Sequence, residues 1–341
     1  MQTFKKIFTS AMSIILITVL LSIAVIYPLV HSENSYYQDA KLRRSLAGKI
    51  DFLFVGSSHT LCGIDPRVAD KELGCFSYDI TGPLLPDSGK IALLQKELNR
   101  NPVETVVIEV SYDTLTRLEK KEFANGEEVA VLKLDSFRER FDYIVHNVSL
   151  DNLLNLYSRE FVDGLQYYIN RIKHQVENVD YSLKGFLPTE ATDFVQEELE
   201  NDTNNPELIS TYTKENIAKL DTLISICQQK GCRTILAITA VSNATLWANP
   251  DRADFSNWLK AYAQKKNVEF YDVNLIKTRF DVFKDDVSFQ DGGHLSAAGA
   301  QENTQILCKL IRNTENGISN NTLLFTDYKQ MRQYSPYASN T

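Results

Sequence analysis

Five short apolar runs constrain this chain most, because each stops at small or polar residues and helical periodicity fills much of what lies between them. Ile50 to Val55 halts at Gly56-Ser57-Ser58-His59, Cys75 to Ile80 at Thr81-Gly82-Pro83, and Thr105 to Val110 at Ser111-Tyr112-Asp113. Cys232 to Ala240 and Val268 to Tyr271 complete the set. Runs this short, bounded by turn residues, read as buried strands; Thr105 to Val110 is the clearest because β-branched residues dominate it. The spacing predicts helices over 88–98, 215–229, 253–266 and 296–312. Strands that alternate with helices build a parallel sheet covered on both faces, so the expected class is α/β with five parallel strands in three layers.

Other segments do not fit that alternation. Ile7 to Val30 is twenty-four residues without an acid, a base or a histidine. At about 1.5 Å per residue it exceeds a hydrocarbon core of about 30 Å. It is also longer than the ~7–15-residue apolar region of a cleaved signal peptide. It reads as an uncleaved anchor. Lys5 and Lys6 before it favour a cytoplasmic N-terminus, although Lys41, Arg43, Arg44 and Lys49 follow on the far side. The expected layout is a cytoplasmic tail (1–6), a single transmembrane helix (7–30), a linker (31–49), a domain over 50–312 and a polar, weakly structured tail (313–341). The domain carries an insertion at about 117–210, with helical periodicity from Leu150 to Ile172 and an irregular acidic stretch from Asn178 to Glu207. The expected location is the cell membrane, with the C-terminal domain extracytoplasmic.

A formal net charge of −8 offers no basic surface for nucleic acid. Cys62, Cys75, Cys227, Cys232 and Cys308 form no CxxC pair and no cluster with histidines, so no metal site is expected. Cys62–Cys75 or Cys227–Cys232 could pair outside the membrane; the preferred reading is small buried apolar side chains. No organic cofactor is implied.

Chemistry is expected at the carboxyl ends of the strands, where open α/β sheets bind ligands. Ser58 stands there after a glycine that permits a tight turn, at the start of an expected helix. A serine nucleophile needs a base. Asp291-Gly292-Gly293-His294 supplies one after the fifth strand. Three-residue spacing across two glycines lets Asp291 fold back and fix the His294 tautomer, leaving the other ring nitrogen for the serine proton. Gly82, after the second strand, offers a backbone N–H that could join that of Ser58 in an oxyanion hole. Ser57 is a rival nucleophile. His59 reads as site-lining or substrate-contacting, because neighbouring side chains on a tight turn seldom face each other. Lys90, Asp87, Asp285 and Asp286 read as surface residues, and His146 and His174 as surface or packing residues.

These residues resemble the SGNH (GDSL-like) hydrolase superfamily, whose first block is Gly-Asp-Ser and whose last is Asp-x-x-His. Gly56, Ser57 and Ser58 match the first block, with Ser57 in place of aspartate. Asp291 and His294 match the last, and Gly82 lies near the second-block glycine. The resemblance covers about 50–113 and 215–312 and implies a flavodoxin-like sheet. One block departs: where the family has Gly-x-Asn-Asp, this chain reads Val110-Ser111-Tyr112-Asp113. Tyr112, Ser111 or Asn243 would have to replace the missing asparagine donor.

A Gly-Ser-Ser block behind an N-terminal anchor is similar to the DltD/AlgJ-like branch. That branch works beside a membrane-bound O-acyltransferase (MBOAT) and moves D-alanyl or acetyl groups onto cell-surface polysaccharide or teichoic acid. The expectation is therefore serine O-acyl transfer through a Ser58 acyl-enzyme. A cell-surface glycan esterase or deacetylase is the alternative, and a catalytically degenerate binding subunit of an acylation complex is a third.

Overall fold

The computed structural model of the chain describes residues 10–14, 16–17, 35–116, 124–149, 152, 183–192, 214–248 and 251–334. The chain divides into two compact units, one made of Met1–Arg44 with Val131–Tyr181 and the other of Ser45–Ala130 with Ser182–Thr341.

The larger unit is built on a five-stranded sheet: β1 (Phe52–Val55), β2 (Ser77–Ile80), β3 (Thr105–Glu109), β4 (Arg233–Ile238) and β5 (Glu269–Asp272). The spatial order is β2-β1-β3-β4-β5, and every neighbouring pair is parallel. All four residues of β1 are buried, which explains why Phe-Leu-Phe-Val shows no polar alternation. Parallel neighbours need crossover connections, and helices pack on both faces. One face carries Phe52, Phe54, Val107, Ile235 and Ala237, packed against α2 (Pro66–Leu73) and the long α6 (Ala297–Glu315). The other is covered by α3 (Asp87–Arg100), α4 (Lys214–Gln229) and α5 (Asp251–Lys266). A short helix, α1 (Ser58–Gly63), follows β1 directly.

Helix ends follow local chemistry. Asp65 caps α2 by accepting from the Arg67 N–H, and Pro66 fills the first helical position. Ser296 caps α6 by accepting from the Gly299 N–H. The register aligns Val55 with both Ile80 and Ile108, and Ile108 with Leu236, so the carboxyl ends of β1 to β4 share one edge. β1 and β3 are neighbours whose connections leave in opposite directions, which makes the gap between them the switch point of the sheet.

Several expectations change. The tail is not weakly structured as far as Tyr334. α6 runs on to Glu315, and α7 (Tyr328–Gln333) follows, capped by the Asp327 side chain. Phe325, Tyr328 and Met331 are buried against Val241, Leu246 and Leu275. The Tyr328 hydroxyl donates to Asp272 at 3.0 Å. Asp272 also accepts from Ser256 at 2.7 Å and from Asn274, while burial lifts its carboxyl above the usual range against those hydrogen bonds. Lys90 and Asp87 are not surface residues: they form a buried ion pair of 2.8 Å in the first turn of α3. All five cysteines are free thiols, four of them buried.

Most of the expected anchor, the expected helix over 150–172, His174 and the far tail lie outside the described residues. Among the described residues no helix is long and apolar enough to cross a membrane.

The smaller unit contains the helix Ser35–Ser45 up to Arg44 and the helix Phe137–Asn147. Its described core includes a buried charged knot. Asp39 accepts from Arg43 at 3.1 Å and from Lys133 at 3.0 Å, and Arg43 also donates to the Lys133 carbonyl at 2.6 Å. His146 is exposed, with Nδ1 2.7 Å from the Asp142 carbonyl.

Candidate active site

The Ser58 end of the site is built by close approach. Gly56 leaves β1 with no room for a side chain: a Cβ there would overlap the Thr60 hydroxyl, stand 2.8 Å from the Thr60 Cβ and 3.2 Å from the Glu109 Cβ. The chain can therefore turn at once into α1, with Ser57 at its N-cap and Ser58 as its first residue. The Leu61 N–H donates to the Ser57 carbonyl at 3.0 Å, closing the first turn. At the other end of α1, buried Asn303 of α6 donates to the Gly63 carbonyl at 2.8 Å and accepts from the Ala240 N–H at 3.0 Å. One amide side chain thus ties the helix that carries Ser58 to the end of β4.

The acid–base end is a small antiparallel turn between Phe289 and Leu295, joined by an isolated bridge. Gln290 N–H donates to the His294 carbonyl at 2.9 Å. Asp291 folds back over the loop, as the two glycines permit: its Oδ1 accepts from the Gly293 N–H at 2.8 Å and the His294 N–H at 2.6 Å. The Ser242 N–H holds the Gly292 carbonyl at 3.0 Å.

These two ends meet. His294 Nδ1 stands 2.7 Å from Asp291 Oδ2, and Nε2 stands 2.8 Å from the Ser58 hydroxyl oxygen. That contact spans 236 residues of sequence. Burial alone would raise the Asp291 carboxyl, but hydrogen bonds from the His294 ring and from the backbone N–H groups of His294 and Gly293 outweigh it and hold it below its ordinary value. An ionised Asp291 accepts the Nδ1 proton, which leaves Nε2 as the lone pair facing Ser58. Ser58 is half-buried, and the His294 and Asp291 side chains are each 30% exposed, so a substrate can reach them. Cys62, one turn beyond Ser58, is pushed up to about 11 by burial and then by the Asp291 charge. It is a neutral thiol at physiological pH.

His59 lies beside the base. Its ring stacks on that of His294, with centroids 4.9 Å apart and planes inclined by 21°. Gly82 follows β2, whose end is in register with that of β1, so it lies at the same sheet edge as Ser58.

The substitutes suggested for the missing asparagine make contacts of their own. Tyr112 is buried, edge-on to Phe255 at 5.5 Å between centroids. Ser111 shares a 2.7 Å hydrogen bond with Thr114. Asn243 is buried and donates from Nδ2 to the Phe283 carbonyl at 3.3 Å. Asp285 is not merely solvated: it accepts from the Asn243 and Ala244 N–H groups at 2.8 and 3.2 Å, capping the helix Asn243–Ala248. Among the described residues no cluster of three or more His, Cys, Asp or Glu side chains is arranged to hold a metal ion.

One structural element beside the site was invisible in the sequence. Within the expected insertion, 183–192 forms a strap along the site. Lys184 carbonyl accepts from the Asp79 N–H of β2 at 3.0 Å, and the Leu187 N–H donates to the Leu61 carbonyl of α1 at 2.8 Å. Farther along, the Thr189 hydroxyl donates to the Leu295 carbonyl at 2.8 Å, and the Thr192 N–H to the Phe289 carbonyl at 3.2 Å. The only sequence trace of this strap is the apolar Phe186-Leu187 amid polar residues.

No protein-family model matches the chain, and no curated protein matches it. Among solved structures, the chain is similar to a candidate acylhydrolase from Bacteroides fragilis, at 11% identity and a TM-score of 0.41 over 82% of this chain and 94% of that one. It is similar to a GDSL-like lipase from Bacteroides thetaiotaomicron, at 10% identity and 0.39 over 83% and 98%. A third is a candidate platelet activating factor protein from Streptococcus pneumonia, at 13% identity and 0.37 over 86% and 98%. Likeness at this level sets no activity for the chain.

Proposed function

We propose that the chain is a membrane-anchored serine O-acyltransferase of the cell surface, working through an ester on Ser58. The observation that carries the reading is the relay from Asp291 through His294 to the Ser58 hydroxyl. His294 Nε2 takes the hydroxyl proton as Ser58 attacks an acyl carbonyl, and returns it to the leaving group; Asp291 stabilises the imidazolium formed between the two steps. A second cycle with an acceptor hydroxyl releases the acyl group. Backbone N–H groups of Ser58 and Gly82 are the proposed oxyanion donors. Tyr112, Ser111 and Asn243 are the candidates for a further donor in place of the asparagine.

Transfer rather than hydrolysis is supported by Val110-Ser111-Tyr112-Asp113, which departs from the hydrolase block, and the uncharged run from Ile7 to Val30 would hold the domain at the membrane surface. There the substrates implied by the resemblance are a D-alanyl or acetyl donor handled by an MBOAT-type acyltransferase and a polysaccharide or teichoic acid acceptor.

The test is covalent labelling of the full chain in membranes by a serine-directed fluorophosphonate. Wild type should label, and Ser58→Ala should not. Equal labelling of the two would sink the assigned nucleophile. Rapid turnover of an aryl acetate with water alone would make the protein an esterase. Complementation of a deletion strain by Ser58→Ala would make it a binding subunit.

A further inference from the structure

Hydrogen bonds at both nitrogens of His294 fix the ring within its own plane, to Asp291 on one edge and to Ser58 on the other. Neither bond resists tipping of the ring out of that plane, because both partners lie near the same line through it. Resistance to tipping requires a contact against the flat face. The stacked His59 ring supplies that contact.

The loop is shaped to admit it. A Cβ on Gly293 would stand 3.0 Å from His59 Cε1 and 3.8 Å from Nε2, so any side chain at that position would press on the His59 ring. Gly293 does not need to be glycine for its own hydrogen bond, since the N–H that it donates to Asp291 would survive in alanine. Its backbone is also outside the left-handed region. The missing side chain is what the stack uses.

The geometry points to His59 as a positioning residue: its ring is the stop against which the His294 imidazole rests, and Gly293 is the gap that lets it lie flat. Its effect on catalysis rests on the nucleophile reading above. The role belongs to the ring's flat face rather than to its nitrogens, so phenylalanine should replace it and alanine should not. The same account predicts that Gly293→Ala acts through His59, and so does little once that ring is gone.

The experiment uses the full chain in membranes with two readouts. One is the rate of fluorophosphonate labelling at Ser58; the other is carbethoxylation of His294 by diethyl pyrocarbonate, quantified on its peptide. His59→Ala should slow labelling about tenfold, a fraction of the ~10²–10⁴ that a general base supplies. It should also speed carbethoxylation of His294 several-fold, while His59→Phe stays within about twofold of wild type in both. Gly293→Ala should slow labelling in the wild-type background and add little to His59→Ala, a non-additivity expected only of touching groups. Wild-type rates in His59→Ala, a His59→Phe as impaired as alanine, or single effects that multiply in the double variant would each overturn the proposal. Gly293→Ala leaves His59 intact, so the test survives a His59→Ala that does not accumulate. An unlabelled wild type would remove the nucleophile reading instead, and the carbethoxylation readout would still decide whether His59 shields His294.

Discussion

Gly56→Ala isolates the closest approach in the site. The added Cβ would overlap the Thr60 hydroxyl and stand 2.8 Å from the Thr60 Cβ, inside any real carbon–carbon contact. Thr60 is fully buried, and turning its side chain would move the hydroxyl but not the Cβ, which the backbone fixes. The turn carrying Ser57, Ser58 and Thr60 must therefore move, by on the order of an ångström. Overpacking of this kind costs about 1–3 kcal/mol. Ser58 moves with that turn, and its 2.8 Å contact to His294 opens. Misplacement of a reacting group by about 1 Å can lower a rate by ~10²-fold. Gly56→Ala should thus slow fluorophosphonate labelling by about two orders of magnitude, with the urea midpoint lowered to match the stability cost. Adding Thr60→Ala removes the worst overlap and should restore part of the labelling rate. A Gly56→Ala variant that labels at the wild-type rate with an unchanged midpoint would refute the claim that close approach places the nucleophile.

Three further outcomes follow from the same geometry. Asp291→Asn keeps one acceptor for the loop N–H groups but offers an amide to the histidine, so labelling should fall by about 10³–10⁴ while the protein still folds, as circular dichroism would show. Acid should weaken the fold through Asp291: its folded pKa lies below its unfolded value of about 3.9, so its stabilisation is present above that value and is lost as pH falls through the folded pKa. Urea midpoints measured from pH 6 down to pH 3 should therefore drop more steeply in wild type than in Asp291→Asn. Tyr328→Phe removes one hydrogen bond to Asp272 while Ser256 and Asn274 keep theirs, so it should cost about 1 kcal/mol in urea titration.

The sheet was legible because its strands are buried on both faces, which leaves runs such as Phe52–Val55 and Thr105–Ile108 without polar interruption. Ser58, Asp291 and His294 were legible because a turn glycine, a strand end and a three-residue Asp-to-His spacing each limit geometry locally. What escaped depends on partners distant in the chain. Asp87 and Lys90 look like surface residues until they bury each other. Phe325, Tyr328 and Met331 are scattered among polar residues, and only the groove at Val241, Leu246 and Leu275 gives them a common face. The resting place of His59 on His294 depends on a residue after the last strand. The strap at 183–192 is held largely through backbone groups, and side-chain patterns say little about those.

The 236 residues between Ser58 and His294 also set an order in time. A ribosome adds residues from the N-terminus at about 5–20 per second, so roughly ten to fifty seconds separate the synthesis of the nucleophile from that of its base. Throughout that interval the serine is an ordinary alcohol. Asn303, which ties the nucleophile's helix to β4, is made later still. A chain truncated before α6 therefore lacks the Asn303 tie, and one truncated before the Asp291–His294 loop leaves Ser58 without its proposed base.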